Sequence, residues 1–268
     1  MATQSVFQEG LFKGKSVFVT GGSSGINLRI AETFGRLGAK VAINARKPEK
    51  LEAAVALMKG QGIDARGFVA DVRDYAAMEA ALESAVKAQG LIDVLVCGAA
   101  GNFPAPAVAI SSNGFKAVLE IDVQGTFHAC RAAFDRLNKP GACILNISAP
   151  QATVPYLMQA HVCAAKAGVD MLTKCLALEW GPAGVRVNSI SPGPIAETEG
   201  MDRLAPDAAT REKVQQMLPL QRFGTRDDVA GLCVFLASDA GSYCTGGIHS
   251  IDGGMALVGG AMMSSLMG

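Results

Sequence analysis

Two side chains of opposite charge stand one helical turn apart in the segment 161–170: Lys166 and Asp170. Residues four apart on a helix share a face. An ammonium and a carboxylate so placed can hold a water and pass a proton through it. The plainer reading is an i,i+4 ion pair worth about 0.2–0.5 kcal/mol. Val162, on the same face as Lys166, offers neither acid nor base. His161 is turned about 100° from that line, which favours substrate contact or a core hydrogen bond over proton donation. A third carboxylate, Asp122, falls mid-helix in an apolar neighbourhood between Ile121 and Phe127. Such a group is paired or protonated. It either orients a reacting water or bonds to nearby backbone.

Other chemistries fit less well. The three histidines are far apart, so no metal site is expected. The seven cysteines are scattered without a CxxC pair, which reads as buried, reduced thiols in a cytoplasmic protein. Cys97 and Cys163 fall near the other candidates, but small core residues are the better reading of both. Acidic and basic side chains balance at 24 each, with no basic stripe, so neither nucleic acid nor an acidic membrane is an expected partner. No signal peptide and no membrane-spanning run are expected. The Met-rich tail, 261–268, reads as packing on a neighbouring subunit or covering a cleft, and its ending differs from a peroxisomal tripeptide.

The elements that must position these groups alternate. Strands are expected at 16–20, 40–44, 65–70, 92–97, 142–147, 185–191 and 248–251. Helices are expected at 26–37, 50–59, up to 88, 113–137, 161–180 and 226–237. Strands joined through long helices make parallel βαβ units. The chain therefore reads as one α/β domain over 1–268: a doubly wound, Rossmann-like parallel sheet of about seven strands, with helices on both faces. The stretch from 192 to 221, rich in Pro, Gly and charge, breaks the rhythm. Its part 194–221 is expected to form a substrate lid.

The turn Gly21-Gly22-Ser23-Ser24-Gly25-Ile26-Asn27 joins the first strand to the first helix. Glycines there let backbone N–H groups approach a pyrophosphate at the helix N-terminus. The second strand ends in Asn44-Ala45-Arg46, with a cation where an NAD site would place an acid. A guanidinium can clamp a 2′-phosphate, so the expected cofactor is NADP(H). Asp71 and Val72, after the third strand, suit the adenine amino group and ring, while Asp74 serves better as the next helix's N-cap.

These motifs resemble the short-chain dehydrogenase/reductases over nearly the whole chain. The matching residues are the glycine turn, Asp71-Val72, Ala99-Ala100-Gly101, Asn146-Ile147-Ser148, Lys166, Arg186-Val187-Asn188, Pro192-Gly193 and Asp252-Gly253-Gly254. Within that family the chain is most similar to the peroxisomal-type 2,4-dienoyl-CoA reductases. That likeness rests on Asn102-Phe103, Ile121-Asp122, Gly125-Thr126-Phe127, His161, Asp170, Glu179-Trp180-Gly181-Pro182, Pro194-Ile195, Thr198-Glu199-Gly200 and Arg203-Leu204. The resemblance implies cofactor contacts at Gly21, Ser23, Ser24, Ile26, Arg46, Asp71, Val72, Ala99, Lys166, Pro192, Gly193 and Ile195. It implies catalytic roles for Lys166 and Asp170, with Asp122 where a supporting asparagine usually stands, and a homotetramer. Five positions depart from the family pattern. Asn27 replaces the last glycine of the turn, Cys97 and Gly98 replace a pair of asparagines, and Ala149 and Val162 stand where serine and tyrosine are usual.

Without the phenol, ketone reduction lacks its ordinary acid. Reduction of a conjugated acyl-CoA double bond places charge on the thioester oxygen and needs a proton at the α-carbon, which water can supply. The expected function is thus an NADPH-dependent reductase of conjugated acyl-CoA double bonds; the resemblance implies a dienoyl-CoA substrate and a trans-3-enoyl product. A carbonyl or 3-oxoacyl reductase using water or His161, and a non-catalytic NADP(H)-binding sensor or scaffold, are the alternatives. Arg203, Arg211, Lys213 and Arg222 are the candidates for CoA phosphates.

Overall fold

The strands form where short apolar runs rich in Val, Ile and Phe are cut off by glycine or polar residues. The computed structural model describes residues 6–198, 200–201, 205 and 207–258; Glu199, Arg203, Leu204 and the tail 261–268 lie outside the described residues. The elements are β1 (Ser16–Thr20), α1 (Gly25–Arg36), β2 (Lys40–Ala45), α2 (Pro48–Gly60), β3 (Ala65–Val69), α3 (Tyr75–Gln89), β4 (Val94–Cys97), α4 (Ser112–Leu119), α5 (Gly125–Ala133), β5 (Cys143–Ile147), α6 (Ala160–Trp180), β6 (Arg186–Pro192), α7 (Ala208–Met217), α8 (Arg226–Ala237) and β7 (Ile248–Ile251).

The seven strands make one parallel sheet in the order β3-β2-β1-β4-β5-β6-β7. The order reverses between β1 and β4, and a crevice opens there at the carboxyl ends of the strands. Val17, Val19, Val41 and Ile43 face one layer, with Ile30 and Phe34 of α1 and Val229 and Val234 of α8. Phe18, Leu95 and Ile144 face the other, with Met78 and Leu82 of α3, Ala129 and Ala133 of α5 and Leu176 of α6. Period-two alternation thus sends successive side chains of one strand into separate cores.

Two elements differ from expectation. The helix expected over 113–137 is interrupted. A π turn, Glu120–Gln124, separates α4 from α5, and the end continues as a 3₁₀ turn, Phe134–Arg136. The segment expected to be irregular, 192–221, is not so throughout, because α7 forms inside it. Asp207 caps α7 by accepting from the Thr210 N–H at 2.8 Å. Among the described residues no helix is long and apolar enough to cross a membrane.

Candidate active site

Lys166 sits on the second turn of α6, 7% exposed, beside the end of β5. Its Nζ donates to the Ile147 carbonyl at 3.1 Å and lies 3.2 Å from Asp122 Oδ2. The Asp122 side chain is wholly buried. Its Oδ1 accepts from the Gly101 N–H at 2.7 Å, which ties the loop after β4 to the π turn. The π turn is what delivers this carboxylate: it inserts an extra residue into the helix. Asp122 Oδ2 contacts Lys166 as an ion, off the angle of a hydrogen bond, and has no other partner among the described residues.

The carboxylate in contact with Lys166 is therefore Asp122, while Asp170 makes its hydrogen bond elsewhere. Asp170 is also on α6 and 6% exposed, but its Oδ1 accepts from Ser189 Oγ of β6 at 2.8 Å. The physical reason is that α6 lies across the sheet. One turn of rise brings Lys166 to the open end of β5 and Asp170 over the middle of β6. Val162 packs with Val118 and Ala165 in a small apolar cluster. His161 is completely buried against Phe103, ring centroids 4.4 Å apart, and neither ring nitrogen has a partner among the described residues.

A cleft of about 590 Å³ runs from the glycine turn to the stretch after β6, where Ile195, Thr198 and Met201 line it. Ser24, Ile26, Lys166, Pro192, Gly193 and Ile195 of the expected cofactor residues line it. Gly21 adopts φ +66°, and a Cβ on it would lie 2.9 Å from Ala99 Cα, so only glycine brings these two turns so close. Ser24 is the N-cap of α1 but makes no side-chain cap bond. The first N–H groups of α1 are thus available to an anion, as a diphosphate requires. Ser23 adjoins it in the turn. These features fit a nicotinamide dinucleotide.

Arg46, Asp71 and Val72 stand apart from that cleft, at the ends of β2 and β3. Arg46 is exposed, with Nη1 3.9 Å from Asp71 Oδ2. Arg73, which the sequence reading passed over, grips Asp71 through Nε at 3.1 Å and Nη2 at 2.7 Å. This holds the Asp71 carboxyl below the usual carboxylate range. Val72 is buried against the start of α5. Asp74 caps α3, as expected, by accepting from the Ala77 N–H at 3.0 Å.

Sequence reading also missed Tyr156, which lines the cleft from the loop before α6. Its hydroxyl donates to Met255 Sδ at 3.5 Å, and burial pushes the phenol up. A phenol so raised is a poor proton donor near neutral pH. The Cys97 thiol lies 3.7 Å from Cys130 Sγ; this contact and burial push it well up, which fits an inert core residue. Among the described residues no group of His, Cys, Asp or Glu could hold a metal. A larger groove, about 1020 Å³, lies between the outer faces of α4, α5 and α6, lined by Phe115, Leu119, Phe127 and Leu172, and belongs to a different surface.

Comparison with known proteins follows the same lines. A family model described as Enoyl-(Acyl carrier protein) reductase matches residues 21–256. A peroxisomal 2,4-dienoyl-CoA reductase, (3E)-enoyl-CoA-producing, of Danio rerio is 40% identical over 98% of this chain and 88% of its own length. A probable 2,4-dienoyl-CoA reductase, (2E)-enoyl-CoA-producing, of Bacillus subtilis (strain 168) is 39% identical over 90% and 96%. Among solved structures, a citronellol catabolism dehydrogenase of Pseudomonas aeruginosa PAO1 superposes with TM-score 0.83 at 34% identity, covering 94% of this chain and 99% of that one. A gluconate 5-dehydrogenase of Burkholderia cenocepacia J2315, solved with NADP and tartrate, gives 0.84 at 29%, covering 91% and 96%. With this fold, this glycine turn and this lysine, the chain belongs to the short-chain dehydrogenase/reductase family of oxidoreductases.

Proposed function

We propose that this chain is an NADPH-dependent reductase of conjugated acyl-CoA double bonds. The observation that carries the reading is the buried Lys166–Asp122 contact opposite a valine: an ammonium with a carboxylate, and no phenol, at the head of α6. The names of the relatives support the same substrate class.

The cofactor, when bound, supplies a hydride to the far carbon of the dienoyl thioester. The chain's own residues then manage charge and the proton. Lys166, fixed by the Ile147 carbonyl and Asp122, offers its remaining N–H groups to a water or to a ribose hydroxyl. Asp122 holds the ammonium in place and orients the water that protonates the α-carbon. Electron pairs and atoms balance: one hydride and one solvent proton convert the 2,4-diene into a single double bond at C3. Asp170 acts at one remove, by fixing Ser189 and the packing of α6 on β6. Arg46 and Arg73 supply positive charge for a 2′-phosphate. Residues 194–221 cover the acyl chain, and Arg211, Lys213 and Arg222 are the cations near it for CoA phosphates.

The groove along α4, α5 and α6, with Phe127, Met171 and Leu178 exposed, suits burial between copies, which supports the homotetramer. Seven free cysteines suit a reducing compartment, here the cytoplasm.

The test is turnover of 2,4-hexadienoyl-CoA with NADPH, set against acetoacetyl-CoA, with the product's double bond located by NMR. Loss of dienoyl and cofactor absorbance together, and a 3-enoyl product, is the expected result. A 2-enoyl product, turnover of the ketone alone, or binding without turnover would each overturn the reading.

A further inference from the structure

Tyr156 and Met255 meet at one end of the cleft. Tyr156 belongs to the loop between β5 and α6, and Met255 opens the 3₁₀ turn, Met255–Leu257, that follows β7. Both side chains are half-buried and line the cleft, and the Tyr156 hydroxyl donates to Met255 Sδ at 3.5 Å. The order of the strands says which end this is. Along the carboxyl edge of the sheet, the glycine turn follows β1, Lys166 stands beside the end of β5, and β6 and β7 come after. A turn that follows β7 therefore lies beyond Lys166, away from the glycine turn. The cofactor enters from one side of Lys166, and Tyr156 and Met255 face the space left on the other.

Both partners are held from behind. Gln151 Nε2 donates to Gln159 Oε1 at 2.9 Å, which closes the base of the loop that carries Tyr156. Asp252 accepts from the N–H groups of Gly254 and Ala256, at 2.9 Å each, and so fixes the turn that presents Met255. The loop 149–160 carries no charged side chain, and neither does the turn 255–257. A phenol ring and a thioether offer bulk and apolar contact, with one weak polar bond between them. Such a wall suits a hydrocarbon, not a phosphate. The same cleft of about 590 Å³ has to take the nicotinamide end of the cofactor as well as the thioester head, which leaves little length for a tail before it meets this wall.

We infer that Tyr156 and Met255 are specificity-determining residues: their side chains form a stop for the acyl chain beyond Lys166, so that short 2,4-dienoyl thioesters are favoured over long ones. This rests on the reductase reading above and names which members of that substrate class the site takes. The ring and the thioether act by filling space, and the hydroxyl only steadies them.

The experiment is steady-state turnover of 2,4-hexadienoyl-CoA and 2,4-decadienoyl-CoA with NADPH, by the full chain and its variants. Wild type should show the higher kcat/KM for the hexadienoyl substrate. Tyr156→Ala and Met255→Ala should each raise the decadienoyl-to-hexadienoyl ratio of kcat/KM about 10-fold, the scale on which an apolar pocket senses added methylenes. Tyr156→Phe keeps the ring and should hold the ratio within about twofold of wild type. Thermal unfolding shows which variants fold, and Met255→Ala carries the test if Tyr156→Ala does not. A wild type that favours the decadienoyl substrate, a ratio unmoved in the folded alanine variants, or a Tyr156→Phe ratio equal to that of Tyr156→Ala would each overturn the inference while dienoyl turnover itself stands. A folded wild type that turns over neither thioester would instead strike the substrate reading, and the stop with it.

Discussion

Lys166 Nζ is 3.2 Å from Asp122 Oδ2, and both groups are almost entirely withdrawn from solvent. Removing one partner of a buried pair leaves a naked charge and costs about 3–5 kcal/mol. Lys166→Met and Asp122→Asn should each depress dienoyl turnover by about 10²-fold or more. Their stability effects should couple: Lys166→Met/Asp122→Asn should be less destabilised than the sum of the singles. Chemical unfolding read as a double-mutant cycle checks this. Strict additivity would mean that the contact carries no energy.

How far the sequence reached is clearest at this pair. Lys166 was legible because its spacing is local, and Asp122 stood out as a carboxylate in an apolar run. Their meeting was not legible, since it depends on a π turn that joins distant segments. Nothing in Glu120–Gln124 marks an inserted residue, and the turn's Asp122 is bonded to Gly101, 21 residues earlier. The strands were legible to within about two residues because buried parallel strands read as short apolar runs. Helix α7 was missed because it is polar on all sides, with no buried face to give a period. Asn27 and Gly98 were each visible as departures, but only their contact, Asn27 Nδ2 donating to the Gly98 carbonyl at 2.8 Å, makes them one feature.

Asp170 separates the two schemes for the proton. Its Oδ1 accepts from Ser189, a bond that an asparagine oxygen can also accept. If it acts only through that bond, Asp170→Asn should hold kcat within about threefold of wild type, while Asp170→Ala should lower stability by about 1–3 kcal/mol. A loss of about 10²-fold in kcat for Asp170→Asn, with stability unchanged, would return Asp170 to the proton path.

Arg46 is exposed at the end of β2, and its nearest anion is Asp71, which Arg73 already satisfies. Arg46 is thus free to turn to a phosphate. Arg46→Ala should weaken NADPH by about 10-fold and NADH by less than about twofold. The ratio of kcat/KM for the two cofactors measures it. Equal preference before and after the change would refute the assignment.

Tyr156 is the phenol nearest in kind to an ordinary acid, and burial moves its pKa upward, away from the working range. Tyr156→Phe should therefore leave dienoyl turnover within about threefold of wild type. A collapse of about 10²-fold, with a basic limb in the pH profile shifted by the change, would favour Tyr156 as the donor and with it the ketone-reductase alternative.

Stability at the start of α8 should depend on pH through Asp228. This residue closes the capping box of α8, accepting from the Thr225 N–H at 2.7 Å while its own N–H donates to Thr225 Oγ1 at 3.1 Å. Arg222 Nη1 lies 2.9 Å away and, with the cap, holds the carboxyl below the usual range. A native pKa below the unfolded one means that the stabilisation is whole above the ordinary aspartate value of about 3.9 and fades as pH falls through the lowered one. Asp228→Ala should lower Tm by about 2–4 °C at neutral pH, the equivalent of about 1 kcal/mol for a cap. Asp228→Asn, which keeps an acceptor for the Thr225 N–H but loses the charge toward Arg222, should fall between. The deficit of both variants should narrow as the medium is made more acid than the ordinary aspartate value. Thermal unfolding across that series decides the point, because a deficit that stays constant into acid would assign the effect to packing, not charge.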